Sequence, residues 1–108
     1  MAGHHHHSPQ RVHTEDVVLD IGDDMGGLIF YAPSDLHGQE IEVLGRAEDA
    51  QKIHCEVDER IVNGRTIFTG VFPPVPAGEY QVCRPEHRAG ERFTVPAGSV
   101  LEIDWSLS

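Results

Sequence analysis

The sequence predicts an all-β fold, a single antiparallel β-sandwich of about seven or eight strands. Apolar and polar residues alternate in most of its hydrophobic segments, which is the period of a strand with one buried face. Turn signals rich in Gly, Pro and Asn separate these segments at short intervals. No window has the period of an amphipathic helix, and the best helix composition, at residues 45–52, is short and polar.

The chain of 108 residues is long enough for one domain with one core. We assign residues 1–15 to a flexible histidine-rich tail and residues 16–108 to the sandwich. The sequence holds 18 acidic and 8 basic residues, a net charge of -10. This charge disfavours nucleic acid and anionic membranes as partners, because both require a basic surface.

The compartment is predicted from what the sequence lacks. The N-terminal residues have no apolar segment of the kind that a secretory signal needs, and no apolar run is long enough to span a bilayer. Two cysteines are too few for a disulfide scaffold. We therefore expect an acidic, reduced, cytoplasmic protein.

The first strands flank an acidic, glycine-rich segment, "GDDMGG", at residues 22–27. Glycine and aspartate suit a tight or bulged turn. A calcium loop would need glycine where Met25 stands and glutamate where Tyr31 stands. We interpret the segment as a hairpin turn. The alternative is weak cation binding by three aspartates: Asp20, Asp23 and Asp24.

The strongest turn signal is Asn63-Gly64, because a type I′ hairpin turn needs positive φ at both central residues. Pairing across this turn predicts a register: Val62 with Arg65, Ile61 with Thr66, Val57 with Gly70, and Cys55 with Phe72. Cys55 and Val57 then face the core with Phe72, and His54 faces outward.

The remaining strands follow between proline and glycine signals. Pro73, Pro74 and Pro76 predict the end of the strand that follows the hairpin turn, and Ala77-Gly78 predicts the start of the next. Alternation predicts further core residues: Ile41, Val43, Ile53, Tyr80, Val82, Phe93, Val95, Leu101, Ile103 and Trp105.

Two motifs carry a resemblance. "VFPPVPAGEYQV" and the later "VPAGSVLEIDW" resemble the transthyretin-like (prealbumin-like) sandwiches, which include carboxypeptidase regulatory-like and Cna-B-type domains. The residues that carry this match are Phe72, Pro76, Ala77, Gly78, Tyr80 and Val82. The resemblance implies a transthyretin-like fold for this chain, and no activity.

The chain as a whole resembles a group of small bacterial proteins that are sometimes labelled phospholipases. These share a histidine-rich N-terminus, a "vvLDIGgdiGaLv" hairpin and a terminal "vteldW" strand. The matching residues here are His4 to His7, Leu19 to Gly22, Gly26 to Leu28, and Trp105. This resemblance implies a β-sandwich in a cytoplasmic setting, but no known reaction.

The histidine cluster is the sharpest chemical feature. His4, His5, His6 and His7 are adjacent, and His13 is close by. Neighbouring neutral imidazoles in a flexible tail chelate Ni²⁺, Cu²⁺ and Zn²⁺, because several nitrogens can reach one ion. No cofactor is certain, and these ions are the ones that the tail could hold. The alternative is that the histidine run is a purification tag.

A weaker metal candidate lies within the domain. "CRPEH" places Cys83 and His87 at a spacing compatible with two zinc ligands, and His54 lies on an outward-facing strand position. The alternative is that all three are ordinary surface residues. Cys55 is expected inside and Cys83 outside, so a disulfide between them is not predicted.

Catalysis has little support. A serine hydrolase would need Gly-x-Ser-x-Gly on a strand-to-helix turn, whereas Ser99 lies in a plain turn. His54 and Cys55 are adjacent on a strand, so they face opposite sides and cannot form a nucleophile–base pair. We expect no enzyme activity, and a lipid or ester hydrolase is the third hypothesis.

An apolar strand suggests a partner. In "GLIFYAP", Leu28 and Phe30 face one side while Ile29 and Tyr31 face the other. Such a strand is either covered on both faces or contributes an exposed patch. Ile29, Phe30 and Tyr31 are therefore candidate interaction residues, for a homodimer or another protein, with outward Leu44 and Val71 beside them. The alternative is burial under a loop or the N-terminal segment.

Two functional hypotheses follow. The first is a non-catalytic cytoplasmic sandwich whose tail binds a divalent transition metal in a storage, buffering or accessory role. The second is a protein-interaction or homodimerisation module with no metal role.

Overall fold

In the computed structural model, residues 10–13, 24–48 and 50–106 are described, and they form eight strands and two short 3-10 helices. The strands are β1 (Gln10–His13), β2 (Met25–Ala32), β3 (Glu40–Gly45), β4 (Lys52–Val62), β5 (Arg65–Pro76), β6 (Gly78–Arg84), β7 (Arg92–Val95) and β8 (Val100–Asp104). The 3-10 helices are Ser34–Leu36 and Glu86–Arg88. This part of the chain contains no α-helix, and the all-β prediction is confirmed.

All eight strands belong to one hydrogen-bonded sheet, in the order β1-β8-β2-β5-β4-β3-β6-β7. Six of the seven neighbouring pairs are antiparallel, but β2 and β8 run parallel. The prediction of a purely antiparallel sheet is therefore wrong. The sequence could not reveal this pair, because β2 and β8 are distant in the chain and are not joined by a single turn whose signal would predict their pairing.

The sheet curls until it nearly closes into a barrel. Strand β4 makes the bend, since residues 52–56 pair with β3 and residues 57–62 pair with β5. At the opposite side, the turn after β7 bonds to the start of β2: Gly98 N–H donates to the Met25 carbonyl at 2.7 Å, and Gly27 N–H donates to the Ser99 carbonyl at 2.8 Å. The two-layered sandwich is not confirmed by this continuous sheet.

The barrel interior holds the residues that strand alternation placed there. All the predicted core residues are buried except Ile53, which is partly buried and packs against the core. Phe30 lies at the centre, with its ring centroid 5.8 Å from Phe72, 5.7 Å from Phe93 and 4.5 Å from Trp105. Trp105 is fully buried, and its indole N–H donates to the Glu91 carboxylate at 2.9 Å.

Gly26 and Gly27, the described glycines of "GDDMGG", do not form the predicted turn tip. Met25, Gly26 and Gly27 belong to β2, and Asp24 precedes it as a turn residue. A Cβ on Gly26 would overlap the Pro96 carbonyl oxygen, and a Cβ on Gly27 would lie 2.8 Å from a Val100 methyl. These glycines allow β2 to approach the β7–β8 turn closely. The proposed aspartate site lies mostly outside the described residues, at Asp20 and Asp23.

As predicted, β5 ends at Pro76 and β6 begins at Gly78, but Pro73 and Pro74 lie within β5 and do not end it. Gly26 pairs with Val75 and Leu28 with Phe72, so Pro73 and Pro74 together oppose one β2 residue in a bulge. Pairing between β4 and β5 ends at Gly70, and this leaves one side of the proline segment without a strand neighbour in the described sheet. Proline lacks the backbone N–H, and this lack destabilises a sheet least at a position with no strand neighbour on that side.

Part of the predicted tail belongs to the sheet. Gln10–His13 form β1, which pairs antiparallel with β8 from Gln10–Ile103 to His13–Val100. The histidine run at residues 4–7 lies outside the described residues. No helix in the described ranges is long and apolar enough to cross a membrane.

Candidate interaction surface

The hairpin of β4 and β5 has the predicted register near its turn. Val62 pairs with Arg65, and Val57 pairs with Gly70. Asn63 has φ 52° and Gly64 has φ 75°, the positive values that a type I′ turn requires. These pairings confirm the sequence-based prediction.

One predicted pair is wrong. Cys55 lies opposite Ile41 of β3 rather than Phe72 of β5, because β4 changes neighbour between Glu56 and Val57. Cys55 still faces the core as predicted, and its side chain lies against Gly70 of β5.

The end of this hairpin extends past its neighbours. β3 begins at Glu40, opposite Glu56, and the last pair of β2 with β5 is Ala32 with Phe68. Residues 60–62 and 65–67 therefore pair only with each other in the described sheet, and Asp58 and Glu59 pair only with Thr69 and Phe68 of β5. We call residues 58–67 the projecting hairpin.

The projecting hairpin exposes apolar side chains. Ile61 is 73% exposed and Val62 is 47% exposed, and Val71 further along β5 is 44% exposed. These are the large hydrophobic residues in the described chain that stand out as exposed. Ile61 lies on the same face of β4 as Val57. Because it is beyond the end of the barrel, it does not pack in the core.

One side of β4 in the projecting hairpin is an open strand edge. In an antiparallel pair, the N–H and C=O of successive residues point alternately to the two neighbours. Val57 N–H donates to the Gln39 carbonyl, and Val57 C=O accepts from Gly38 N–H, both at 2.9 Å. The backbone groups of Glu59 and Ile61 therefore point in the same direction, where no strand of the described sheet lies. We call this the open edge.

The projecting hairpin is held to the barrel on its outer face. The Arg60 Nε–H donates to Thr69 Oγ1 at 2.8 Å, and Thr69 is buried. This charge-assisted bond joins neighbouring positions on β4 and β5, and it restrains the hairpin in its projecting direction. The open edge is therefore presented by an ordered element.

The three residues predicted for interaction on β2 differ in exposure. Phe30 is 0% exposed and forms the centre of the core, so it is not accessible to a partner. Ile29 and Tyr31 are half-buried on the outer face, where Ile29 pairs with Val71. Val71 is exposed as predicted, and Leu44 is half-buried. The most exposed apolar residues are thus on the neighbouring hairpin, which the sequence pattern did not single out.

The metal candidates of the domain lie on different elements. His54 on β4 faces outward, with its Nδ1 at 3.4 Å from a Glu40 carboxylate oxygen. His87 is exposed in the second 3-10 helix. Cys83 is half-buried, and its Sγ lies 3.9 Å from the Gln81 carbonyl. Within the described residues, no group of three or more His, Cys, Asp or Glu side chains is arranged to hold a metal ion.

An acidic side chain between these candidates already has cationic partners. Glu42 on β3 lies 3.9 Å from Lys52 and 3.6 Å from Arg84. It also pairs directly with His54 in the strand register. The outer face of β4, β3 and β6 is thus a row of alternating charges, which is typical of a solvated sheet face. His13, in β1, belongs to the opposite edge of the sheet.

The two cysteines are free thiols, as expected. Burial, followed by the negative charges of Asp58 and Glu40, raises the pKa of Cys55 to about 12. Since the thiolate is the nucleophile, this environment makes Cys55 unreactive. Ser99 is buried, and its carbonyl accepts a bond from Gly27.

Neither a protein-family model, nor a curated protein, nor a solved structure matches this chain. The case for a function therefore depends on the geometry of the projecting hairpin.

One signal in the sequence could have revealed the exposed apolar residues of this hairpin. Ile61 and Val62 are consecutive, so on a strand they face opposite sides, and one of them has to lie away from the core.

Proposed function

We propose that this protein is a non-catalytic, cytoplasmic binding module that adds an extended polypeptide to the open edge of its projecting hairpin. The observation that carries the proposal is the 73% exposure of Ile61 next to backbone groups of β4 that face no strand of the described sheet. Strand addition obtains its affinity from main-chain hydrogen bonds and its specificity from alternate side chains. The open edge offers both.

The charge of the edge narrows the class of partner. Acidic residues at the edge favour a partner segment that is locally neutral or basic over one that is locally acidic. Asp58 and Glu59 lie at the start of the edge, and Arg60 bonds across the outer face to Thr69. We therefore expect an extended segment whose apolar residue contacts Ile61 and whose residue opposite Glu59 is neutral or basic.

Selection from a displayed library of random peptides tests this function. Peptides enriched on the wild-type protein are titrated against Ile61→Asp and against Val71→Asp, which also places a charge at an exposed apolar position of the same sheet. We expect binding to be lost in Ile61→Asp and kept in Val71→Asp. A selection that enriches no peptide, or peptides that bind both variants equally, would contradict the proposal.

A second candidate is transition-metal binding by the tail, and five histidines within the first 13 residues favour it. Because Gln10–His13 pair with β8, deletion of the whole tail would also remove a strand. Replacing His4, His5, His6 and His7 by Gln leaves β1 intact. In calorimetric titrations with Ni²⁺, Cu²⁺ and Zn²⁺, we expect this variant to lose stoichiometric binding. Unchanged binding would redirect the search to His54, Cys83 and His87.

We also propose that the fold is a transthyretin-like sandwich. Three residues that carry the resemblance, Phe72, Tyr80 and Val82, are core residues, which supports it. An experimental structure whose strand order matches that of transthyretin-like domains would establish it, and a different order would reject it.

A further inference from the structure

We infer that the polypeptide that pairs with the open edge is a second copy of this chain, joined through β4 about a twofold axis at Ile61. This inference rests on the proposed function and names its partner. An antiparallel strand edge is self-complementary under a twofold rotation, because each residue i that contacts j is matched by j contacting i. The resulting sheet would continue as β5-β4-β4-β5 through both copies.

Geometry limits the register of such a pair. The backbone groups that point out of the edge belong to Glu59 and Ile61, so these residues have to lie opposite one another or opposite themselves. Three twofold registers satisfy this condition. They place Glu59 opposite Glu59 of the second copy, Glu59 opposite Ile61 of the second copy, or Ile61 opposite Ile61 of the second copy.

Steric exclusion removes the first register and disfavours the second. The backbone of Val57 is already bonded to Gln39 and Gly38, so the chain before β3 occupies the space beside it. With Glu59 opposite its own copy, the second strand would place Ile61 beside Val57, in that occupied space. The Ile61-centred register instead brings the Asn63-Gly64 turn beside Glu59, and the second chain turns away before it reaches Val57.

Charge selects between the remaining two registers. With Glu59 opposite Ile61 of the second copy, Arg60 lies directly opposite Arg60, and like charges in direct cross-strand positions are destabilising. In the Ile61-centred register, Arg60 lies opposite Val62 and Glu59 lies opposite Asn63. No like charges then face each other, and the most exposed apolar side chain of the hairpin pairs with itself. The Ile61-centred register is therefore the one that the edge supports.

The contact is short, since it joins only residues 59–63 of each copy. Short strand contacts fall in the range of weak, transient interfaces. Sedimentation velocity over a wide range of protein concentration is the first test, and we expect a reversible monomer–dimer equilibrium. Val71→Asp should leave this equilibrium unchanged. Ile61→Asp should shift it to monomer at every concentration tested.

Ile61→Pro separates strand pairing from a simple apolar contact. It keeps an apolar side chain but removes the N–H that points out of the edge, and proline is tolerated at edge positions whose N–H has no partner. We expect Ile61→Pro to abolish the dimer as Ile61→Asp does. A dimer that survives Ile61→Pro, or that survives both variants, overturns the strand-pairing inference. Unchanged circular dichroism and a buried Trp105 emission spectrum show that each variant is folded.

A cross-link tests the register. In a Cys83→Ser background, Ile61→Cys places two thiols on residues directly opposite each other, about 5.5 Å apart at Cα, which a disulfide can bridge. Mild oxidation should link Ile61→Cys chains into dimers and leave Glu59→Cys chains unlinked. Cross-linking through Glu59→Cys instead would overturn the register. If the wild-type protein stays monomeric at every concentration, the inference that the partner is a second copy is wrong. The peptide selection tests the proposed function separately.

Discussion

Gly70 lies where β4 changes neighbours, and replacing it by alanine should destabilise the fold. A Cβ at this position would lie 2.8 Å from Cys55 Sγ and 3.0 Å from Ile41 Cδ1. Carbon contacts are optimal at about 3.5–4.0 Å, so both neighbours would have to move. Gly70 has no positive φ, and its backbone therefore accepts alanine without strain. The predicted loss comes from crowding alone.

The magnitude follows from the size of the overlap. Adding one methyl group to a packed core typically costs ~1–3 kcal/mol. Against this, alanine is favoured over glycine within a strand by roughly 0.5–1 kcal/mol, because glycine loses more backbone entropy on folding. For Gly70→Ala we expect a net loss of about 1–2 kcal/mol in the free energy of unfolding. In a domain of this size, that loss lowers the melting temperature by roughly 4–16 °C.

Cys55→Ala should relieve this crowding. Alone, the substitution removes a buried sulfur from a site that is 9% exposed, and we expect a loss of about 1 kcal/mol. In the double variant, the new methyl group at position 70 takes the space that Sγ leaves, and the entropic gain of alanine remains. The double variant should therefore be as stable as the wild type within about 0.5 kcal/mol, a coupling of about 2 kcal/mol between the two sites.

Urea denaturation provides the assay, and the single buried tryptophan, Trp105, reports unfolding by its emission. Gly70→Ala with Cys83→Ala is the matched control, because Cys83 is the other free cysteine and is not among the atoms nearest to the new methyl group. The control pair should be additive. If Cys55→Ala were also additive with Gly70→Ala, the account of packing at this position would be refuted.

Four other predictions concern the contact between β2 and the β7–β8 turn, and the buried polar groups. Gly26→Ala should cost about 3 kcal/mol or more in urea denaturation, because its methyl group would overlap a backbone carbonyl, whereas Gly27→Ala meets only a side chain and should cost less. Tyr80→Phe should lose about 1 kcal/mol in the same assay, since its buried hydroxyl donates a hydrogen bond at 2.6 Å. Burial raises the pKa of Cys55 from 9.0 to about 12, so between these pH values the folded state keeps a proton that the unfolded state releases. The free energy of unfolding should therefore fall above about pH 9, by up to ~1.4 kcal/mol per pH unit towards pH 12. Cys55→Ala should lack this dependence on pH. Labelling with a thiol reagent at neutral pH should modify Cys83 quickly and Cys55 only as the protein unfolds.

Local rules were enough to predict most of the core. In β4, alternation separated buried Cys55 and Val57 from exposed His54, because one face of the strand packs against the barrel interior. Asn63-Gly64 determined a hairpin register that extended unchanged as far as Val57. These successes depend on interactions between residues that are near in sequence or directly opposite in a hairpin.

The errors arose where distant parts of the chain meet. Gly26 and Gly27 read as turn residues, yet they are needed because the β7–β8 turn lies against them. Pro73 and Pro74 read as a strand end, yet a bulge and an open side accommodate them. In each case, the residue type was correctly recognised as special. The reason for the glycines and prolines at these positions was a tertiary contact that cannot be read from a single sequence.

The candidate site was missed for a related reason. Ile61 follows the alternation of Val57, and alternation alone assigns it to the core. Its exposure arises because the barrel ends before the hairpin does, and the lengths of neighbouring strands depend on the complete sheet. The sequence could thus predict the face on which Ile61 lies, but not that the core ends before reaching it.

The selective pairing proposed for the open edge would account for the composition of the projecting hairpin. A protein that only needed to protect an open edge would carry charged residues or proline along all of it. Here charges occupy residues 58–60, next to Val57, whose backbone is bonded to Gly38 and Gln39, and apolar Ile61 and Val62 occupy the free end. The charged half excludes registers that slide towards the barrel, and the apolar half rewards pairing near the turn. An edge of this kind discourages indiscriminate strand addition and still leaves one short segment available to a partner.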